Sequence, residues 1–400
     1  MRTAAMKRIE LPSLALLLAG ALHGGAATAT QGTFPHGYGV KSEGMGGVGV
    51  ALPQDAVAGA TNPAGMVAVG DRVDLGLALL KVDNGARFAG IDHSGSEDTS
   101  LYVIPQFGYN RMIDGVSSVG VSVVGNGVGT DYGSGDNVGG MASPRSALQQ
   151  MVITLSYARR VGDAHALGLG VVLARQDLDI EGPASIGLPE GRDHSWGAGL
   201  RLGWQGTLAP GLTLGATYAS KVNMGRMDKF AGLLPEKGDM DIPANYGLGL
   251  AWTRGALTLG ADVLRILWSD VRAYGNDGVG SATGAPGSDH GPGFGWKDQT
   301  IWRFGAAYAL DAAWTLRAGY NHGSRLLDSR DTYLGVLAPA ANRRHVTAGA
   351  THTFGDGDEL SVAYTRSFKE TTRGTGNGPD GMTDLYMGQH WLSVSYGLRF

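Results

Sequence analysis

Four hundred residues with 67 Gly, no Cys and only 17% charged side chains describe a low-charge, glycine-heavy chain rather than a pair of soluble domains. The net charge of −4 offers no basic field for nucleic acid, and no block of like charge marks a polyanion-binding tail. The lack of Cys excludes disulfide scaffolds and thiolate metal sites, and it suits a chain that crosses an oxidising compartment unfolded.

The first element is an address. Arg2, Lys7 and Arg8 precede an apolar stretch from Leu14 to Leu22, and small residues follow at Ala27-Thr28-Ala29. Residues 1–29 therefore read as a cleaved secretory signal, cut after Ala29 or a little earlier near Ala26. The apolar stretch is well short of the ~20 residues that a helix needs to span a bilayer. No other stretch reaches that length, so any membrane crossing must use strands, and only a closed barrel satisfies their backbone groups in lipid.

Residues 30–72 are Gly-rich, show no period-two pattern and end in Asn62-Pro63-Ala64-Gly65-Met66. From residue 73 to residue 400 large apolar residues alternate with small or polar ones, as in a strand with two different faces. Trp196, Ala198, Leu200, Leu202 and Trp204 set against Gly197, Gly199, Arg201, Gly203 and Gln205 are the clearest example. Fourteen such segments begin near Val73, Leu101, Val119, Met151, Ala166, Trp196, Leu212, Tyr246, Leu257, Ile301, Trp314, Val346, Leu360 and Trp391. Long Gly/Asp/Ser-rich spacers (82–100, 125–149, 175–195, 221–245, 267–300, 322–345, 367–390) take turns with short ones such as Thr253-Arg254-Gly255 and Asp311-Ala312-Ala313. The expected fold is all-β: a transmembrane antiparallel barrel of about fourteen strands with short periplasmic turns, long external loops and both chain ends on the periplasmic side.

Trp196, Trp204, Tyr218, Trp302, Tyr308, Trp314 and Tyr320 fall at segment ends, as interfacial girdles require. The last segment, Leu392, Val394, Tyr396, Leu398 and Phe400, alternates to a terminal Phe and resembles the signal read by outer-membrane assembly machinery. A lumen of fourteen strands is too wide for side chains alone to close, which makes residues 30–72 a plug within the barrel. Met224, Met227, Phe230 and Leu234 recur at about helical spacing in the fourth long spacer, a pattern that fits either an apolar groove in an external loop or a loop packing on its own barrel. Arg201, Arg303 and Arg317 face away from lipid. Each is a candidate to hold a carboxylate, or to pair within the lumen, for instance with Asp262.

The run Ser42-Glu43-Gly44-Met45-Gly46-Gly47-Val48-Gly49-Val50-Ala51, then Gln54-Asp55-Ala56 and Asn62-Pro63-Ala64, resembles the N-terminal hatch of the FadL/TodX family of outer-membrane transporters. Leu234-Pro235, Ile242-Pro243, Trp268-Ser269, Trp296-Lys297-Asp298 and Trp302 through Tyr308 to Trp314-Thr315-Leu316-Arg317-Ala318-Gly319-Tyr320 resemble its later strands. The resemblance implies a hatched barrel for passive uptake of long-chain fatty acids or other hydrophobic compounds such as aromatic hydrocarbons. It also implies capture in an external groove, which favours that role for Met224, Met227, Phe230 and Leu234, and lateral release through the wall. It points to Phe34 as a hatch residue in the ligand pocket, and to Gly125-Asn126-Gly127 on the third strand as the lateral gate.

Gly44-Met45-Gly46-Gly47-Val48-Gly49 matches a dinucleotide fingerprint without the strand and βαβ context that the motif needs. No Gly-x-Ser-x-Gly elbow, metal-ligand helix or ordered calcium loop occurs, so neither catalysis nor a cofactor is expected. A general porin is the main alternative and a barrel-type hydrolase the weaker one. A monomer is expected, since no subunit interface is readable.

Overall fold

The computed structural model describes residues 30–96 and 101–400. The secretory signal and its cleavage sites lie outside the described residues.

Fourteen antiparallel strands form the wall: β1 Arg72–Phe88, β2 Leu101–Met112, β3 Ser117–Asp131, β4 Arg145–Val161, β5 His165–Glu181, β6 Gly191–Ala209 and β7 Leu212–Ala219, then β8 Asn245–Arg254, β9 Leu257–Ile266, β10 Gln299–Ala309, β11 Trp314–Gly323, β12 Arg344–Thr353, β13 Glu359–Thr372 and β14 Thr383–Arg399. Each pairs with its neighbours in sequence, and β1 closes the ring on β14 from Arg72↔Arg399 to Phe88↔Thr383. Closure joins the first strand to the last, and satisfying strand edges in this way is what allows strands to span lipid at all.

The period-two pattern maps onto the two faces of this wall. On β6, Trp196, Leu200 and Leu202 are each about half exposed and point outwards, whereas Arg201 and Gln205 on the other face are buried in the lumen. The girdle aromatics Tyr218, Trp302, Tyr308, Trp314 and Tyr320 also lie on the outer face. Connections at the end of the barrel holding Arg72 and Arg399 are short turns such as 162–164 and 255–256, and those at the opposite end are long.

Several strands start earlier than their alternation suggests. β4 begins at Arg145 rather than Met151, β6 at Gly191 rather than Trp196, and β14 at Thr383 rather than Trp391. The spacers 82–100, 125–149, 175–195 and 367–390 are correspondingly part strand. The cause is visible on β4 and β5. Beyond Met151 and Leu173 the outward positions become Gln149 and Arg145, or Arg175, Asp177 and Glu181, because the wall there has left the apolar layer. Strand pairing continues where the apolar signal stops.

Residues 30–71 fold inside the lumen as a hatch of short turns, almost all of it buried. Much of its seat is glycine. A Cβ added to Gly305 would lie 2.5 Å from the Met45 carbonyl oxygen, and one on Gly319 would strike the Gly46 amide. Gly215 and Gly249 stand against Val50 in the same way. These inward glycines let the hatch backbone lie directly on the wall.

Candidate functional site

Asn62-Pro63-Ala64 shows how the hatch is held. Asn62 precedes a short 3₁₀ turn, Pro63–Gly65; its side-chain oxygen accepts from the Ala64 amide at 3.1 Å, and its Nδ2 donates to the carbonyls of Val50 at 2.7 Å and Trp204 at 3.1 Å. Pro63 suits the first position of the turn, where no amide is needed. Ala64 is fully buried, and its backbone lies so close to Gly168 and Gly203 that a Cβ on either would strike it. Asn62→Ala is expected to cost about 1 kcal/mol for the cap and ~1 kcal/mol for each further hydrogen bond lost. The measurable outcome is a leakier channel: purified variant in planar bilayers should show conductance bursts that the parent lacks, and equal traces would refute this role.

The remaining anchors are polar and belong to the barrel. Asp262 accepts from the amides of Gly49 at 2.8 Å and Val50 at 3.1 Å. At the short-turn end Glu359 takes Lys41 and Arg72, and Arg72 also holds Asp74 at 2.6 Å. Glu43 accepts from Gln106 at 2.5 Å, and burial pushes its carboxyl up to about 7 despite that bond.

Of the three inward arginines, Arg303 donates to the Gly47 carbonyl at 3.0 Å and reaches the Gln31 side chain at 3.4 Å, while Arg317 donates to Gln54 at 3.2 Å and to Thr351 at 2.6 Å. No ion pair joins them to Asp262 among the described residues; its Oδ2 accepts both hatch amides, and its Oδ1 is buried without a partner. Arg201 differs from the other two. Its one hydrogen bond among the described residues runs from NH1 to the Thr61 carbonyl at 3.2 Å, a carbonyl that Thr217 also serves at 2.8 Å, and its Nε is buried without a partner.

Arg201 borders a small interior cavity. Phe34, Val124, Val152, Val172, Val222 and Ile242 supply apolar walls, and Tyr38, Asn126, Ser220 and Asn245 supply polar atoms. Tyr38 donates to Asn126 at 2.6 Å. Phe34 is buried and meets Trp268 edge-on at 5.6 Å; Trp268, Tyr274 and Trp296 then pack with ring centroids 4.9–5.0 Å apart. Sequence reasoning noted Trp268 and Trp296 only as family-like residues and missed Tyr274. Their convergence depends on how the 267–298 loop folds into the mouth, which no local pattern encodes.

Met224, Met227, Phe230 and Leu234 do not form an amphipathic helix. They are buried in the same apolar cluster as Phe34 and Trp268, on a two-residue strand, Asn223–Met224, and a 3₁₀ turn, Asp228–Phe230. Gly225, Gly232, Pro235 and Gly238 interrupt the segment and oppose a continuous helix. The helical spacing here comes from separate turns that each direct one side chain inwards.

The wall itself changes at β3. Its lower half pairs with β2 from Met112↔Ser118 to Phe107↔Val123, and there the pairing stops. Above that point β2 stays on β1 as far as Leu101↔Lys81, and β3 stays on β4 as far as Asp131↔Arg145. Along Val124–Asp131 the strand is drawn inwards. Asn84 of β1, two strands away, donates to the Gly129 carbonyl at 3.1 Å, and the Gly127 amide donates to Thr33 of the hatch at 2.8 Å. Gly125, Asn126 and Gly127 sit at this break, facing Ile104 of β2 and Tyr38 of the hatch. Pro105, which has no amide to donate, lies on the unpaired edge of β2. A proline inside an otherwise regular strand is the signal that would have located the break from both sides.

Residues 26–384 match the family described as outer membrane protein transport protein (OMPP1/FadL/TodX). Among solved structures, the fold is similar to the toluene transporter TodX of Pseudomonas putida, with 22% identity, TM-score 0.71, and 91% of this chain and 99% of that one covered. It is also similar to the Ralstonia pickettii toluene transporter TbuX, at 19% identity, TM-score 0.65 and 91% and 99% coverage. A Pseudomonas aeruginosa FadL homologue aligns at 17% identity and TM-score 0.66 over 94% of this chain and 100% of its own. No curated protein sequence matches. With most of its length matched, the chain belongs to the OMPP1/FadL/TodX family of outer membrane transport proteins.

Proposed function

We propose that the protein passively takes up amphipathic acids, long-chain fatty acids being the type, and releases them sideways through the wall between β2 and β3. The observation that carries this reading is the interrupted β2–β3 pairing beside a largely apolar cavity bordered by a guanidinium whose Nε has no partner. The axial route is opposed by the hatch, whose amides, carbonyls and ion pairs are tied to the barrel around its circumference. Above Phe107↔Val123 the described residues of β2 and β3 are not hydrogen-bonded to each other, so an opening there costs little wall bonding. In this reading the buried column of Met224, Met227, Phe230 and Leu234 receives the ligand at the mouth, and Phe34 withdraws to admit it to the cavity.

A second reading, monoaromatic hydrocarbons as cargo, is favoured by the Phe34, Trp268, Tyr274 and Trp296 cluster, because aromatic rings prefer such edge-on and offset partners. Uptake of radiolabelled oleate and of toluene by cells with and without the protein separates the two. The primary reading expects loss of oleate uptake on deletion. Loss of toluene uptake alone would replace it with the second reading, and unchanged uptake of both would remove each of them.

A further inference from the structure

On the outer face the apolar layer ends at one height along three consecutive strands. Leu79 of β1 lies beside Leu392 of β14, which lies beside Tyr364 of β13. The next outward position towards the long loops is basic on all three: Lys81 opposite His390, and His390 opposite Arg366. Lys81 and Arg366 therefore stand on either side of His390, two cations on one outward patch that an anion lying between them would neutralise.

Other basic residues at this boundary are neutralised within the protein. Arg175 has Asp177 at 2.9 Å and Arg265 has Asp298 at 3.1 Å. Lys81 and Arg366 have no ion-pair partner among the described residues. The carboxylate one outward step beyond Lys81, Asp83, is held by Lys369 at 3.1 Å. The His390 Nδ1 meets the Tyr364 hydroxyl at 2.6 Å and Arg366 NH1 at 3.3 Å, which sets the ring between the two cations.

We propose that Lys81, Arg366 and His390 form a binding site for the phosphate of a lipid headgroup in the outer leaflet. The charge is complementary, the guanidinium presents a fork suited to phosphate oxygens, and Leu79 and Leu392 directly below offer a surface for the acyl chains. The site lies on the outer face rather than in the lumen, and Lys81, paired with Leu101, stands one strand from the β2–β3 break.

The test is native mass spectrometry of the delipidated full-length protein titrated with diphosphoryl lipid A, and with the same lipid stripped of its phosphates. The wild type should retain the phosphorylated lipid preferentially. Lys81→Gln/Arg366→Gln should bind it on the order of tenfold to thirtyfold more weakly, the size expected for removing two cations from an anionic lipid contact, and should lose the preference. Arg111→Gln/Arg399→Gln, which removes equal charge at the opposite rim, should leave retention unchanged, and heat-modifiable gel mobility shows that each barrel is folded. Equal retention by the first variant, or equal binding of the phosphate-free lipid by the wild type, overturns the proposal. Displacement by inorganic phosphate at matching concentration would show a free-anion site instead and overturns it too.

Discussion

Gly125→Val/Gly127→Val should assemble as a normal barrel yet take up hydrophobic cargo on the order of tenfold more slowly, because forcing branched side chains into a packed contact costs about 1–3 kcal/mol. A Cβ at Gly125 would already stand 2.9 Å from Ile104, so a valine there fills the space between the inward-drawn strand and the free edge of β2. At Gly127 the strand donates its amide to Thr33 of the hatch, and a β-branched residue stiffens the segment that must move. The strand remains paired with β4 throughout, which is why assembly should survive. Heat-modifiable mobility measures folding, and initial rates of oleate uptake measure transport. A folded variant with parental rates would remove the β2–β3 route. An equal loss after the same replacement at Gly168, where the hatch rather than the break is disturbed, would mean that hatch seating controls the rate.

How much of this could be read from the chain depends on which surface each residue faces. Outward positions such as Leu200 and Leu202 meet one uniform solvent, lipid, so their pattern is local and the strand count is legible. At Arg145 and Gln149 the outward face has left the apolar layer, so the same strand no longer advertises itself. Inward positions answer to the hatch, whose contacts are distant in sequence. Gly305 is glycine because the Met45 backbone lies on it, and nothing near Gly305 says so. The arginines' particular partners were hidden for a related reason. Arg303 and Arg201 bond within the lumen, but to backbone carbonyls, which carry no signature in a sequence, while one oxygen of Asp262 serves two hatch amides. The Met224 to Leu234 segment had the right spacing for a helix, and its glycines and Pro235 carried the contrary signal.

Arg201→Gln is the substitution expected to separate acids from neutral hydrocarbons. The guanidinium borders the cavity beside Phe34, has no carboxylate within ion-pair reach among the described residues, and leaves Nε buried and unpaired. Its contact to the hatch is redundant, because Thr217 also donates to the Thr61 carbonyl. A buried cation that holds little structure is costly to keep, and an anionic ligand is the partner that would repay it. A hydrogen bond to a charged group contributes about 1.5–3 kcal/mol, so the variant should bind or take up oleate roughly ten- to a hundredfold less well while toluene uptake stays at the parental rate. Arg201→Lys keeps the charge without the fork and should fall between the two. Thermal unfolding supplies the structural control: with Thr61 still bonded, Arg201→Gln should melt no lower than the parent. Equal losses for oleate and toluene would make Arg201 a structural residue of the pocket, and unchanged oleate uptake would leave the aromatic cluster at Trp268 as the better guide to the cargo.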